Sequence, residues 1–227
     1  TRLEGQRIQY ADSSRKDEGR IGENQRAGIK HSIIENKMEA SGKLIIFSAP
    51  SGSGKTTIVK ELLKIFPQFE FSISATSRQP RGTEQNGVDY FFRSQDEFRQ
   101  KVAADEFVEW EEVYNGTCYG TLKSEMQRIW QKGNVIIFDV DVMGGINLKR
   151  IFGDSARSIF IMPPSVEVLR ERLIGRGTDS METIEKRVAK ADFEISKAGE
   201  FDNVVVNDVL EEAIAKTRDI INDFLAE

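Results

Sequence analysis

The sequence predicts an α/β domain with a central parallel sheet flanked by helices, and three observations carry that prediction. Short continuous apolar runs recur along the chain: Leu44-Ile45-Ile46-Phe47, Val135-Ile136-Ile137-Phe138, Ser158-Ile159-Phe160-Ile161-Met162 and Val204-Val205-Val206. Runs without polar alternation suit strands buried on both faces, as in a parallel sheet covered by helices. Helically spaced stretches separate the runs, which is the alternation of βαβ units. A glycine-rich turn leaves the first run and opens a helix, at the carboxyl end of a strand, where such sheets place their ligands.

Residues 1–42 differ from the rest. They carry eight Lys/Arg and seven Asp/Glu without a sustained apolar pattern, so a disordered tail or a non-native extension is expected there. The absence of an apolar h-region argues against a secretory signal, and the many acids argue against an organelle transit sequence. The first methionine is Met38, the expected native start if the upstream segment is foreign. Residues 43–227 read as one domain. After the strand Leu44–Phe47, the spacing of Ile58, Leu62, Leu63 and Phe66 predicts a helix over Thr57–Phe66, stopped by Pro67. Ser72–Thr121 is polar and rich in Gly, Arg and aromatics. It reads as an inserted subdomain, about 72–121, between core segments 43–71 and 122–227. The three later strands complete the core, a charged stretch at about 175–190 reads as a lid, and a last helix is predicted over Val209–Leu225.

Composition narrows the function. The 227 residues hold 32 Lys+Arg and 37 Asp+Glu, a net charge of −5, which argues against nucleic-acid binding but leaves room for a local basic pocket. No apolar run approaches the roughly 20 residues of a membrane span, so no membrane partner is expected. The single cysteine, Cys118, excludes an internal disulfide and a cysteine metal cluster and fits a reducing compartment, so a cytoplasmic location is expected. The single histidine, His31, lies in the tail. A Ser-His-Asp triad or a histidine-rich metal site has almost no material.

Ala49-Pro50-Ser51-Gly52-Ser53-Gly54-Lys55-Thr56 follows the first strand and runs on through Thr57 into the helix. It matches the phosphate loop G-x-x-x-x-G-K-[ST] except at Ala49, where the first glycine is expected. Small residues let backbone N–H groups turn around a phosphate, the helix N-terminus faces it, Lys55 reaches the outer phosphates and the Thr56 hydroxyl meets Mg²⁺. A methyl at position 49 is tolerable unless that residue needs a positive φ. The plainer reading, a Gly/Ser turn before a helix, leaves Lys55 and Thr56 unexplained.

Within the insert, Arg78 and Arg81 stand three apart and are followed by Tyr90 and Tyr119, a clamp for a second phosphate, since guanidinium forks grip phosphate oxygens bidentately. Glu109, between Val108 and Trp110, can accept two hydrogen bonds from a base edge with adjacent N–H donors, an edge that guanine offers and adenine does not. Taken singly, each has an ordinary alternative: a solvated arginine pair, core tyrosines with wet hydroxyls, a rim carboxylate. Cys118 reads as a passive small residue.

On these motifs the chain resembles the guanylate kinase family from about Lys43 to its C-terminus. The resemblance rests on Ser74-Ala75-Thr76-Ser77-Arg78-Gln79-Pro80-Arg81-Gly82, Asn86-Gly87-Val88-Asp89-Tyr90, Glu106-Phe107-Val108-Glu109-Trp110, Tyr119-Gly120-Thr121, Asp139 to Gly144, and Arg172 to Thr178. It implies a P-loop nucleoside monophosphate kinase fold and transfer of phosphate from ATP to GMP with Mg²⁺, by a monomer or homodimer. By position, the phosphate clamp for GMP falls on Arg78, Arg81, Tyr90 and Tyr119, and the guanine contacts fall on Ser74, Glu109 and Thr121. Asp139 is implied in the nucleotide site and Asn207 near the adenine of ATP, though Val206-Asn207-Asp208 also reads as the cap of the last helix. Departures are Ala49, Ala75 for a common serine, Met143 for a usual glutamine, and Cys118 where tyrosine is frequent.

Asp139 and Asp141 follow the second apolar run, so alternation puts both carboxylates on one face, facing a Mg²⁺ hydration shell, a GMP hydroxyl or an arginine; capping is the alternative for Asp141. Arg172, Arg176 and Arg187 bracket Gly175, Gly177, Thr178 and Asp179 in a strongly charged helical region, either as a solvated helix face paired at i, i+4 or as cations that stabilise a loose phosphoryl transition state. Arg176 and Arg187 are expected to be catalytic with Lys55. A phosphate acceptor is already largely ionised, with its second pKa at about 6, and needs no general base. Two other functions fit the sequence: a non-catalytic guanylate-kinase-like interaction module, and a related P-loop kinase with another small phosphorylated acceptor.

Overall fold

In the computed structural model, the described residues are 42–227 except 115 and 178, and the side chains of Val113 and Tyr114 are also left undescribed. The expected tail, with His31 and Met38, lies outside them apart from Gly42. The chain runs β1 (Leu44–Ser48), α1 (Lys55–Ile65), β2 (Phe69–Phe71), β3 (Ala75–Thr76), β4 (Phe91–Phe92), α2 (Gln95–Ala103), β5 (Phe107–Tyr114) and β6 (Thr117–Leu122). It continues through α3 (Lys123–Trp130), β7 (Val135–Asp139), α4 (Val142–Phe152), β8 (Ala156–Met162), α5 (Val166–Arg176), α6 (Met181–Ser196), β9 (Asn203–Val206) and α7 (Leu210–Ala226). Among the described residues no helix is long and apolar enough to cross a membrane.

The main sheet is parallel, in the order β2-β7-β1-β8-β9. Its four central and later strands are the four apolar runs. The fifth, Phe69–Phe71, was not expected: three residues after Pro67 are too few to show a period, and only pairing with β7 makes them a strand. Helix α1 begins at Lys55, two residues ahead of the expected start. In β1, alternate side chains serve opposite layers. Ile45 and Phe47 pack with Ile58 and Leu62 of α1 and Ile221 and Phe224 of α7, while Leu44 and Ile46 pack with Met126 and Ile129 of α3 and Leu148 and Phe152 of α4. All four are fully buried, which is why the run needs no polar residue.

The chain between β2 and α3 forms a second sheet, β4-β3-β6-β5, with α2 against it. Its core is Ala75, Phe98, Phe107 and Leu122, with the Phe98 and Phe107 rings stacked at 4.5 Å. Ser94 starts α2 with a reciprocal capping box to Glu97. Alternation along β5 and β6 gives this sheet two uses. Trp110 and Cys118 point toward α2 and its core, while Glu109, Glu111 and Tyr119 face the end of β7.

Candidate active site

The first cavity is built on β1 and α1. The chain leaves β1 at Ser48 and turns tightly, Ser53 N–H donating to the Pro50 carbonyl at 3.2 Å. Gly52 and Gly54 sit at φ 96° and 90°, a region that penalises other residues. Ala49 is not in that region, so the methyl in place of glycine carries no backbone strain. Helix α1 has no side-chain cap and no acid in its first turn, which leaves its N–H groups and partial positive charge for an anion. The cavity is about 570 Å³, lined by Ala49, Pro50, Ser51, Gly52, Ser53, Gly54, Lys55, Thr56 and Thr57, with Asp139, Val140, Asp141, Arg172 and Arg176 also on its wall.

Lys55 reaches across to β7, with Nζ 2.5 Å from Asp139 Oδ1 and donating to the Val140 carbonyl at 2.9 Å. Arg187 donates to Ser51 Oγ at 2.5 Å and to Asp179 Oδ1 at 3.1 Å, so α6 touches the loop itself. Arg176 is exposed at the cavity mouth. Arg172 donates from Nη2 to the Asn207 carbonyl at 3.0 Å, and its buried Nη1 has no partner.

Asn207, expected near the adenine of ATP, is 4% exposed, and its Nδ2 donates to the Ser53 carbonyl at 2.7 Å. It does not cap α7, since that helix starts after Val209 without a side-chain cap.

A second cavity, about 310 Å³, lies between the two sheets. It is lined by Ser74, Tyr90, Glu109, Glu111, Tyr119, Gly120, Asp139, Val140, Asp141 and Gly144. Buried Thr121 donates to Glu109 Oε1 at 2.7 Å. Burial pushes the Glu109 carboxyl up to about 7, and the nearby Asp141 and Glu111 carboxylates add to the rise while Thr121 opposes it. Arg78 lies 4.9 Å from the Tyr90 ring centroid and donates from Nε to Tyr119 Oη at 3.0 Å. Its fork is closed on Glu84 by bonds of 2.6 and 2.8 Å, which raises the guanidinium pKa and lowers Glu84 to about 2.

Arg81 is exposed and, like Arg78 and Thr121, is not among the residues lining this cavity; its backbone N–H donates to Glu84 Oε2 at 2.7 Å. Asp141 caps α4, accepting from Gly144 N–H at 2.7 Å, while also lining both cavities. Met143 packs against the apolar cluster of Val142, Ile146 and Phe160. Sequence reasoning missed Glu84 and Glu111. For Glu84 the only signal was a carboxylate three residues past Arg81.

The two cavities share Asp139, Val140 and Asp141 at the carboxyl end of β7. A phosphate loop on a parallel sheet, with a second polar cavity opening on the same strand end and arginines on the following helix pair, defines a phosphate-loop kinase of the small-acceptor class. Comparison with known proteins sharpens this. The family model described as guanylate kinase matches residues 41–224. Guanylate kinase of Bacteroides thetaiotaomicron is 54% identical over 187 residues, covering 82% of this chain and 92% of that one. The guanylate kinase of Porphyromonas gingivalis is 54% identical over 186 residues, with 82% and 99% covered. Among solved structures, guanylate kinase from Anaplasma phagocytophilum superimposes with a TM-score of 0.62 at 29% identity, covering 82% of this chain and 87% of that one. The chain belongs to the guanylate kinase family.

Proposed function

We infer that this protein transfers the γ-phosphoryl group of ATP to the phosphate of GMP, giving ADP and GDP. The observation that carries the reading is the shared wall: one cavity is a phosphate loop, the other presents two carboxylates, Glu109 and Glu111, and two tyrosines, and both open on Asp139, Val140 and Asp141. Two anions held there are brought together without a residue that must take a proton. Lys55 is already held at the junction by Asp139 and Val140, where it can follow charge onto the transferring group. Arg172 and Arg176 on the cavity wall and Arg187 on Ser51 supply further positive charge for the equatorial oxygens.

In the acceptor cavity, ionised Glu109 accepts from the adjacent N–H donors of guanine while Ser74 and Thr121 flank it, and Arg78, Tyr90 and Tyr119 hold the phosphate. For Arg78 to grip bidentately, its fork must leave Glu84; Arg81 joins only if its turn swings inward. The sheet of β3 to β6 serves as the GMP-binding insert and the α5–α6 turn as the lid. Mg²⁺ fits the donor set. Thr56 offers an exposed hydroxyl at the start of α1, and among the described residues no cluster of three metal-binding side chains exists, so the ion would be held by Thr56 together with phosphate oxygens. When bound it supplies charge neutralisation at the outer phosphates. A cytoplasmic location is in keeping with the single cysteine. A coupled assay offering ATP with GMP, AMP, CMP and UMP in turn tests the reading. Turnover with GMP alone is expected, and turnover with another acceptor but not GMP would overturn it.

A further inference from the structure

Asn207 sits where β9 ends. Its backbone N–H extends the ladder to the Met162 carbonyl at 2.8 Å, and its side chain reaches a residue 154 positions away in sequence, the Ser53 carbonyl. No side chain caps α1 at this point, and buried Ser53 Oγ has no partner, so the Asn207 bond is the side-chain contact that fixes the Ser53 carbonyl. In a planar trans peptide the carbonyl and the N–H point in opposite directions. Fixing the Ser53 carbonyl on Asn207 therefore turns the Gly54 N–H away from Asn207, toward the cavity that Gly54 lines. The approach is close enough that a Cβ on Gly54 would run into Asn207 Nδ2. At its other end the Asn207 carbonyl accepts from Arg172, whose buried, unpartnered Nη1 belongs to a side chain on the same cavity wall.

We propose that Asn207 is a positioning residue for the triphosphate: one residue fixes both a phosphate-loop peptide and Arg172 of α5, and its contribution is independent of the nucleotide base. The proposal rests on the reading of this cavity as the donor phosphate site. Inorganic tripolyphosphate, which has no base, separates positioning from base reading. Titration calorimetry of the intact protein with tripolyphosphate, beside the KM for ATP, is expected to show Asn207→Ala weakening both by a similar factor of about ten, the scale of one buried hydrogen bond lost and its partner stranded. The KM for GMP should stay within about twofold, and circular dichroism should report an unchanged fold.

Weakened ATP use with unaltered tripolyphosphate binding would overturn the proposal in favour of a base contact. A lowered melting temperature with both constants unaltered would reduce Asn207 to a structural residue. Asn207→Ser, which keeps a polar group at the site but cannot span to Ser53, carries the same comparison if the alanine variant does not fold. A wild-type protein inert toward ATP and GMP that still bound tripolyphosphate in an Asn207-dependent way would sink the proposed activity and leave this inference standing.

Discussion

Glu109 is the residue whose environment bears on the proposed guanine contact. Its carboxyl, near 4.5 in an unfolded chain, is held at about 7, so the folded state binds its proton more tightly than the unfolded state does. The sign follows from linkage: the stabilisation is fully present below about 4.5 and is lost as pH rises through about 7. Glu109→Gln removes that dependence, so between pH 5 and pH 8 the melting temperature of the variant should gain on wild type; parallel curves would refute the shifted carboxyl. Binding runs the opposite way, because only the ionised form accepts two N–H donors. The KM for GMP should fall from pH 6 to pH 8 in wild type more than in Glu109→Gln. The variant is the control for the acceptor phosphate, which also ionises near 6.

Lys55→Ala should lower kcat by two or more orders of magnitude, about 3 kcal/mol of transition-state charge stabilisation, with GMP binding by calorimetry nearly unchanged. Residue types that carry chemistry were legible, since Lys55, Thr56, Glu109 and the tyrosines fall where motif spacing put them. The bond from Asn207 to Ser53 and the closing of the Arg78 fork on Glu84 were not, because no motif spacing encodes either partner.

At the scale of elements, the end of β7 and the start of α4 form the wall between the two cavities, and this junction is packed tightly. Ser48 Oγ at the end of β1 donates to the Asp141 carbonyl at 3.0 Å, and Gly145 of α4 lies directly above. A Cβ on Gly145 would strike Ser48 Oγ and come within 3.1 Å of Phe201 and 3.3 Å of Ile46. Gly145→Ala should therefore destabilise by about 1–3 kcal/mol, as overpacking does, despite alanine being the better helix former. The measurement is a denaturant melt with kcat beside it, and kcat should fall too, because displacing α4 moves Asp139 and Asp141. A more stable variant would show that the junction has slack. The strands of the main sheet were readable because burial on both faces leaves an uninterrupted apolar run. The strands of the smaller sheet were not. Two of them, β3 and β4, are only two residues long, and β5 and β6 alternate between an apolar face and a site face, which reads as polar loop until both faces are known.

For the whole molecule, the proposed transfer needs the two sheets held together, because the proposed acceptor cavity is split between them. Ser74, Tyr90, Glu109 and Tyr119 come from the smaller sheet and its approaches, and Asp139, Val140, Asp141 and Gly144 come from the larger. The phosphate loop, by contrast, lies wholly on the larger. The connection from β2 to β3 is held at both of its first residues: Ser72 N–H donates to the Ile137 carbonyl at 3.0 Å and Ile73 N–H to Glu125 Oε1 at 3.2 Å. Glu125, 2% exposed, is locked by Arg128 at 2.8 and 2.9 Å. Arg128 in turn reaches Glu70 of β2 at 2.5 Å. Burial would raise the Glu70 carboxyl, but hydrogen bonds from Lys132, Arg128 and Asn134 outweigh it and hold the group near 2.

Glu125→Ala strands the Ile73 N–H and half of the Arg128 fork, a loss of about 1–3 kcal/mol in stability. Because the released segment carries the acceptor half of the site, the KM for GMP should rise several-fold while the KM for ATP stays within about twofold. Glu125→Gln, which keeps an acceptor for Ile73, should recover most of the GMP affinity. Equal rises for both substrates would mean that the connection does not set the relation of the two sheets, and that some other contact holds the acceptor cavity together.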